Sequence, residues 1–414
     1  MVSNVYGNGS NSTAGANTVV HYYDKAGIKA ANTMAVYAQF ADRRSMPLNM
    51  GKTYKVSKWL HIFDRQDGVD ADFASKGYLT ARNIVDVSAG LATDAALAEG
   101  AGAVNKRTIK KVTLDTAFAR YGEMIDYTDE VDMFSEDVIQ VRYREELGLL
   151  ANQRSEDLIQ LDMLSTTNVM YSGAATSLAT VGVDSNGGNG VTDSLSQINY
   201  NLIRKSVRKL VRNRAERNTS VVTGSTKIDT RTINRAFYAI IGPEVKYDLE
   251  NVVRGTVSAN GTTEYVYVPA YKYADSSNLA EGEVGSMHDV RFIESESAVV
   301  YRGAGNVVGA YTGNLSRTTL NTTTAAALTS FTGVTYSSGE VRFDVFPILF
   351  PTKGSFATVG LKGNNKIQFR AQSPEQVELG NPYGTQGFFS YNMWYAGIIL
   401  REECLLKVLV TASQ

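Results

Sequence analysis

The chain has 414 residues, more than one ordinary hydrophobic core uses, so its length favours two or more packed lobes. Lys and Arg total 41 against 42 Asp and Glu, a net charge of -1 that excludes a bulk-basic nucleic-acid binder. Hydrophobic residues at 43% exclude wholesale disorder, and one cysteine, Cys404, excludes an intrachain disulfide framework and cysteine-built zinc sites.

The opening residues carry no basic segment followed by an apolar one, and no stretch approaches about 18 uninterrupted apolar residues. The expectation is a soluble, intracellular, globular protein without a signal peptide or membrane span. Tyr reaches 23 while Pro is only 7 and Gly is 36, a balance that suggests long strands and hairpins. Such a tyrosine content suits either contact surfaces or simply a Tyr-rich β protein.

Residues 1–20 are rich in Gly, Ser and Asn, the composition of an arm without its own core. From Asp24 the spacing of Ile28, Ala31, Met34, Ala35 and Ala38 predicts a helix that stops before Pro47. Residues 51–59 alternate, with Thr53, Lys55, Ser57 and Trp59 on one face and Tyr54 and Val56 on the other, as a half-exposed strand does. Residues 64–106 have no strong period, and strand character returns over 107–128. Two strands flanking a long excursion point to an extended β-hairpin arm.

The longest helix is expected from Ser135, as N-cap, to about Thr166. Ile139, Tyr143, Leu147, Leu150, Leu161 and Leu164 fall on one face, and Val138, Val141, Leu149, Ile159 and Met163 on the other, so the helix reads as a spine packed on both flanks. After a Gly-rich loop at 172–192, a second helix is expected from Asp193 to about Arg217. Short buried strands follow at Ala236–Ile241, Tyr265–Val268, Val290–Ile293 and Ala298–Tyr301, with a helical turn from Pro243 to Asn251. Nine Thr within 311–339 suggest a loose insertion. The tail returns to strands at Val341–Phe350, Phe356–Gly360, Ile367–Arg370, Phe388–Trp394, Gly397–Leu400 and Leu405–Val410.

Catalytic chemistry is hard to place. His21, His61 and His288 are far apart and form no metal-binding spacing. Cys404 follows Glu403 in an expected buried strand, where acidic surroundings raise a thiol's pKa, so it reads as a core residue rather than a nucleophile. Gly303, Gly305 and Gly309 miss the dinucleotide-loop spacing and precede no helix. The acids Asp126, Asp129, Glu130, Asp132, Glu136 and Asp137 lack the glycine of a calcium loop and read as a solvated linker with helix-start acids, with a divalent ion at a subunit contact left open. No catalytic residue, cofactor site or metal site is expected.

In this setting the chain resembles the major capsid proteins of tailed bacteriophages, specifically the N4-like capsid family. The likeness runs from Ala-Gln-Phe-Ala-Asp-Arg-Arg-Ser-Met-Pro (38–47) into Met50-Gly51-Lys52-Thr53, through Lys58-Trp59-Leu60 and Arg-Tyr-Gly-Glu-Met-Ile-Asp-Tyr-Thr-Asp (120–129). It continues in Gly282-Glu283-Val284-Gly285, Val290-Arg291-Phe292-Ile293-Glu294 and Asn381-Pro382-Tyr383-Gly384-Thr385-Gln386-Gly387. It spans about 20–410, except the insertion near 311–339, and departs where Asn381 stands before Pro382 in place of the family's Asp.

The resemblance implies an α+β chain with the shell fold of tailed phages and herpesviruses. Fitted here, 1–50 is the N-terminal arm and helix, and 51–134 the extended-loop (E-loop) hairpin with its flanking strands, the loop itself about 60–108. The span 135–219 is the peripheral domain with the spine helix at 135–166, 220–340 the axial domain with the Ser/Thr-rich insertion, and 341–414 the closing strands. It further implies a structural, non-enzymatic role in the virion. Copies would assemble in the host cytoplasm as pentamers and hexamers, enclosing double-stranded DNA through non-specific contacts. Portal, scaffolding and cement proteins are the implied partners, and no membrane is. Some relatives crosslink a loop lysine to a neighbour's asparagine, and nothing in this sequence selects Lys76 or Lys106 for that. An encapsulin-type compartment holding a cargo enzyme is the competing reading, and a phage or bacterial hydrolase a remoter one.

One site stands out by charge. In the second helix Ile203, Val207, Leu210 and Val211 cluster on one side, while Arg204, Lys205, Arg208, Lys209 and Arg212 fill the other. Two readings stay open. The stripe is solvated or pairs with an acidic stretch such as 126–137 of a neighbour, or it meets packaged DNA through phosphates without base readout.

Overall fold

The computed structural model describes residues 36–59, 88, 97, 99, 111–134, 139–173, 175–184, 194–222, 230–254, 264–273, 279–308, 321–324, 339–362, 367–374 and 381–414. The arm at 1–20, the helix start at 24–35, nearly all of 64–106 with Lys76 and Lys106, His21, His61, Ser135 and most of 311–339 lie outside them.

Val36 leads into a 3-10 turn at Ala38–Phe40 and then strand β1 (Asp42–Met46). The helix expected to reach Pro47 is therefore a strand in its last turns. β1 forms a parallel ladder from Asp42 opposite Ala357 to Met46 opposite Leu361, and this long-range pairing overrides a weak local helix pattern. Strands β2 (Thr53–Trp59) and β3 (Lys111–Ala117) then pair antiparallel over their full length, Thr53 opposite Ala117 and Trp59 opposite Lys111. Their alternation is the expected one: Thr53, Lys55, Ser57 and Trp59 are exposed, while Tyr54, Val56 and Leu114 pack inward. Strand β4 (Ala119–Thr128) follows, then helices α1 (Asp129–Phe134) and α2 (Ile139–Leu164).

Short strands β5 (Val169–Tyr171), β6 (Val183–Asp184) and β7 (Ser194–Leu195) precede helix α3 (Tyr200–Arg212). Next come β8 (Asn218–Val222), β9 (Thr230–Ile241), helix α4 (Pro243–Glu250), β10 (Val268–Pro269), β11 (Glu283–Met287) and β12 (Val290–Glu294). The chain closes with β13 (Thr322–Thr324), β14 (Val341–Phe343), β15 (Phe346–Phe350) and β16 (Phe356–Leu361). The final strands are β17 (Gln368–Gln372), β18 (Gln386–Tyr395), β19 (Gly397–Ile399) and β20 (Leu406–Val410).

The central sheet has the order β10-β11-β12-β9-β15-β20-β5, with β8 paired to β9. Its run Ala-Phe-Tyr-Ala-Ile-Ile (236–241) lacks alternation because both faces are covered. Phe237, Ala239 and Ile241 share a core with Ile203, Val207 and Leu210 of α3 and Val245 and Leu249 of α4. Tyr238 and Ile240 share another with Val36, Phe40 and the α2 residues Ile159 and Met163. Helices α2 and α3 therefore cover opposite faces of this sheet.

The first half of α2 packs elsewhere. Leu147 and Ala151 meet Tyr127, Phe389, Tyr391 and Met393 on the three-stranded sheet β17-β18-β4. A third sheet, β1-β16-β19, shares a small core with the β2–β3 hairpin.

Four expectations change. Tyr265–Val268 is not a buried strand: Tyr265 is exposed and makes one bridge to Val253, and only Val268 and Pro269 join the sheet, at an edge where proline can sit. Ala298–Tyr301 contributes a single bridge, Tyr301 to Val345. Val341–Phe350 breaks in two at Asp344, whose carboxylate accepts the Gly303 N–H (2.6 Å) and the Thr323 hydroxyl (2.8 Å). The spine does not follow two continuous stripes, since Leu161 is 54% exposed. Among the described residues no helix is long and apolar enough to cross a membrane.

Candidate functional site

Helix α3 is bounded by its own chemistry. Asn199 is extended and its side chain accepts the Leu202 N–H at 2.8 Å, which satisfies one of the amides left free at a helix start. Asn213 ends the helix and Arg214 turns into the left-handed region at φ 54°. The helix is thus shorter at both ends than the span expected from Asp193 to Arg217. Leu202, Ile203, Ser206, Val207 and Leu210 are buried. Ser206 is tolerated there because its hydroxyl donates to the Leu202 carbonyl at 2.9 Å. Val211, expected on the apolar face, is instead 53% exposed.

The five basic residues divide. Arg204, Lys205, Arg208 and Arg212 are exposed and form no ion pair among the described residues. The Arg204 guanidinium lies 5.6 Å from the Tyr200 ring centroid, which orients it along the helix. Lys209 folds back: its Nζ donates to the Val169 carbonyl at 3.1 Å, and burial lowers its pKa. It fastens α3 to β5 rather than joining the stripe. Arg217, beyond the helix, is held by Asp289 (3.2 Å) and by the Phe237 ring. Lys209 and Arg212 in the last turn also complement the helix dipole.

Three polar anchors escaped the sequence reading. Glu156 of α2, almost fully buried, accepts the Tyr37 N–H at 2.8 Å. Gln160 one turn later donates to the Tyr37 hydroxyl at 2.8 Å. Glu403, also buried, lies 3.6 Å from the Lys58 ammonium and 3.3 Å from Arg401, so it ties the β2–β3 stem to the closing strands. Lys58 also donates to the Leu400 carbonyl, and Thr116 to that of Gly397. The only signal for these residues was a charged or amide side chain inside an apolar context, which does not name its partner.

Cys404 is fully buried, and burial pushes its thiol up to about 12, so it stays protonated and unreactive. His288 occupies the tight turn between β11 and β12 with φ 56° and its ring meets Tyr200 edge-on. Among the described residues no three His, Cys, Asp or Glu converge as a metal site. Large apolar side chains do stand in solvent. Trp59 ends β2, and Met124 and Phe369 lie on the sheet β17-β18-β4.

No family model matches the chain. It is 25% identical over 419 residues to a major capsid protein of Pseudomonas phage KPP21, covering 98% of this chain and 95% of that one. Solved structures agree in fold. The capsid of Ralstonia phage GP4 matches with TM-score 0.54 at 10% identity, over 99% of both chains. The capsid of cyanophage Pam1 matches with TM-score 0.51 at 11% identity, over 98% of both. The chain has the fold of the phage capsid shells and is similar along nearly its whole length to a phage major capsid protein.

Proposed function

We propose that this chain is the major capsid protein of a tailed phage, whose copies self-assemble as pentamers and hexamers into an icosahedral head around double-stranded DNA. The observation that carries the reading is the end-to-end likeness to a phage major capsid protein, joined to the capsid-shell fold. These likenesses favour the phage head over the cargo compartment. The role asks for rigid scaffolding and contact surfaces rather than a reactive group, so the chain acts as a structural protein of the virion, assembled in the host cytoplasm.

The parts divide accordingly. Residues 1–50 serve as the arm, and 51–134 as the E-loop, whose root is the paired β2 and β3. Residues 135–219 form the peripheral domain around α2, 220–340 the axial domain, and 341–414 return through both. Portal, scaffolding and cement proteins are the further partners. The stripe Arg204, Lys205, Arg208 and Arg212 meets DNA phosphates on the inner surface, and its exposure without an ion pair among the described residues supports this. Lys209 is withdrawn from it.

Electron microscopy of the purified, expressed chain tests the main reading: closed shells of uniform size are expected, and a strictly monomeric product would overturn it. Phage carrying Arg204→Gln, Arg208→Gln and Arg212→Gln tests the stripe. Intact heads that retain less DNA are expected. Assembly defects in the absence of DNA would make the stripe an intersubunit contact, and normal heads with normal DNA would leave it a solvated face.

A further inference from the structure

The segment Val36–Phe40 lies against the second half of α2, and one buried carboxylate stands beneath it. Glu156 is 8% exposed and accepts the Tyr37 N–H at 2.8 Å, with the amides of Val36 and Ala38 also bonded to it. Three consecutive backbone amides on one carboxylate form an anion seat. Among the described residues no lysine or arginine forms an ion pair with it. The groups facing Glu156 are Asp157 and Gln160 on its own helix, the Tyr37 phenol above it, and the Tyr395 phenol at the end of β18, itself bonded to Asp162 at 2.7 Å. Ser295, after β12, reaches the same phenol as Gln160. The nearest cation along α2, Arg154, is engaged by Glu123 at 3.0 Å and Asp157 at 3.7 Å.

We propose that Glu156 is a proton-operated latch on the root of the N-terminal segment, closed over Val36–Ala38 when protonated and loosened when ionised. The direction follows from linkage. Burial dominates over the three amides and pushes the carboxyl up to about 7, with Asp157 adding to the rise. When the segment lifts away, water reaches Glu156 and its affinity for the proton falls towards the ordinary carboxylate value. The closed state therefore binds more protons than the open one between those two values. Closure is fully favoured below the ordinary carboxylate value, weakens by about tenfold for each unit as pH rises from there to the carboxyl's midpoint, and levels off above it. Solution pH thereby acts on the backbone of Val36–Ala38. The latch needs only the folded subunit, so its failure and the failure of the capsid reading are separate results.

Hydrogen exchange of the full-length unassembled subunit between pH 5 and 9 tests it, with rates divided by the intrinsic rate at each pH. Protection of the Tyr37 and Ala38 amides is expected to fall about tenfold per unit between pH 5 and about 7 and to level off above that. In Glu156→Gln, which keeps an acceptor and cannot ionise, it is expected to stay flat. Flat protection in the unaltered chain, or the same slope in the glutamine variant, overturns the latch. Should Glu156→Gln not fold, Asp157→Asn serves: removing the neighbouring negative charge moves the midpoint to lower pH, and an unmoved midpoint overturns the proposal.

Discussion

Helices α2 and α3 cover opposite faces of one sheet, and they bury their residues by different rules. In α3 the buried side chains are Leu202, Ile203, Ser206, Val207 and Leu210, a single stripe recurring every three or four residues against one core. In α2 the partner changes along the helix. Leu147 and Ala151 pack on the sheet β17-β18-β4, and Ile159, Met163 and Leu164 on the central sheet. At about 100° per residue, Leu147 and Met163 sit roughly 160° apart. The buried face thus turns halfway along the spine. A helix with one partner announces its orientation, whereas a helix bridging two sheets averages its own pattern away.

The largest test of this difference is mutational. In α2, Leu147→Ala and Met163→Ala are each expected to cost about 3 kcal/mol in chemical unfolding of the unassembled subunit, although they lie on nearly opposite sides of the helix. In α3 the opposed pair behaves unequally. Ile203→Ala costs about 3 kcal/mol, while Arg212→Ala, half a turn round the helix, stays within about 0.5 kcal/mol. Equal costs in α3, or a negligible cost at either α2 site, would break the comparison.

The same distinction explains what the sequence reveals. The β2–β3 stem is legible because one face of each strand is wet and the other dry, so its alternation survives. The unbroken run at 236–241 is legible for the opposite reason, since core covers both faces. The basic stripe is legible as charge on one side of an amphipathic helix, but the withdrawal of Lys209 is not, because it depends on a carbonyl 40 residues earlier. Likewise Glu156 acquires its role from an amide 119 residues away, and β1 its strand form from a ladder with Ala357–Leu361. Local pattern carries the elements that face one environment and is silent on those defined by a distant partner.

The smallest expected effects are the sharpest check, because they concern residues whose sequence position and structural position disagree. Leu161 belongs by spacing to the same stripe as Leu147, and Val211 to the same cluster as Ile203, yet they are 54% and 53% exposed. An exposed aliphatic side chain on a helix leaves little apolar area to lose, and alanine is the better helix former. Leu161→Ala and Val211→Ala are therefore each expected to change subunit stability by less than about 0.5 kcal/mol in the same unfolding measurement. A loss of about 2 kcal/mol at Val211 would mean that α3 is rotated towards the face its bare periodicity suggests, taking Arg208 and Arg212 out of the stripe. A similar loss at Leu161 would mean that α2 keeps one stripe after all, and Glu156 would then no longer lie beneath Val36–Ala38. The two substitutions thus report on the orientation of each helix without disturbing either core.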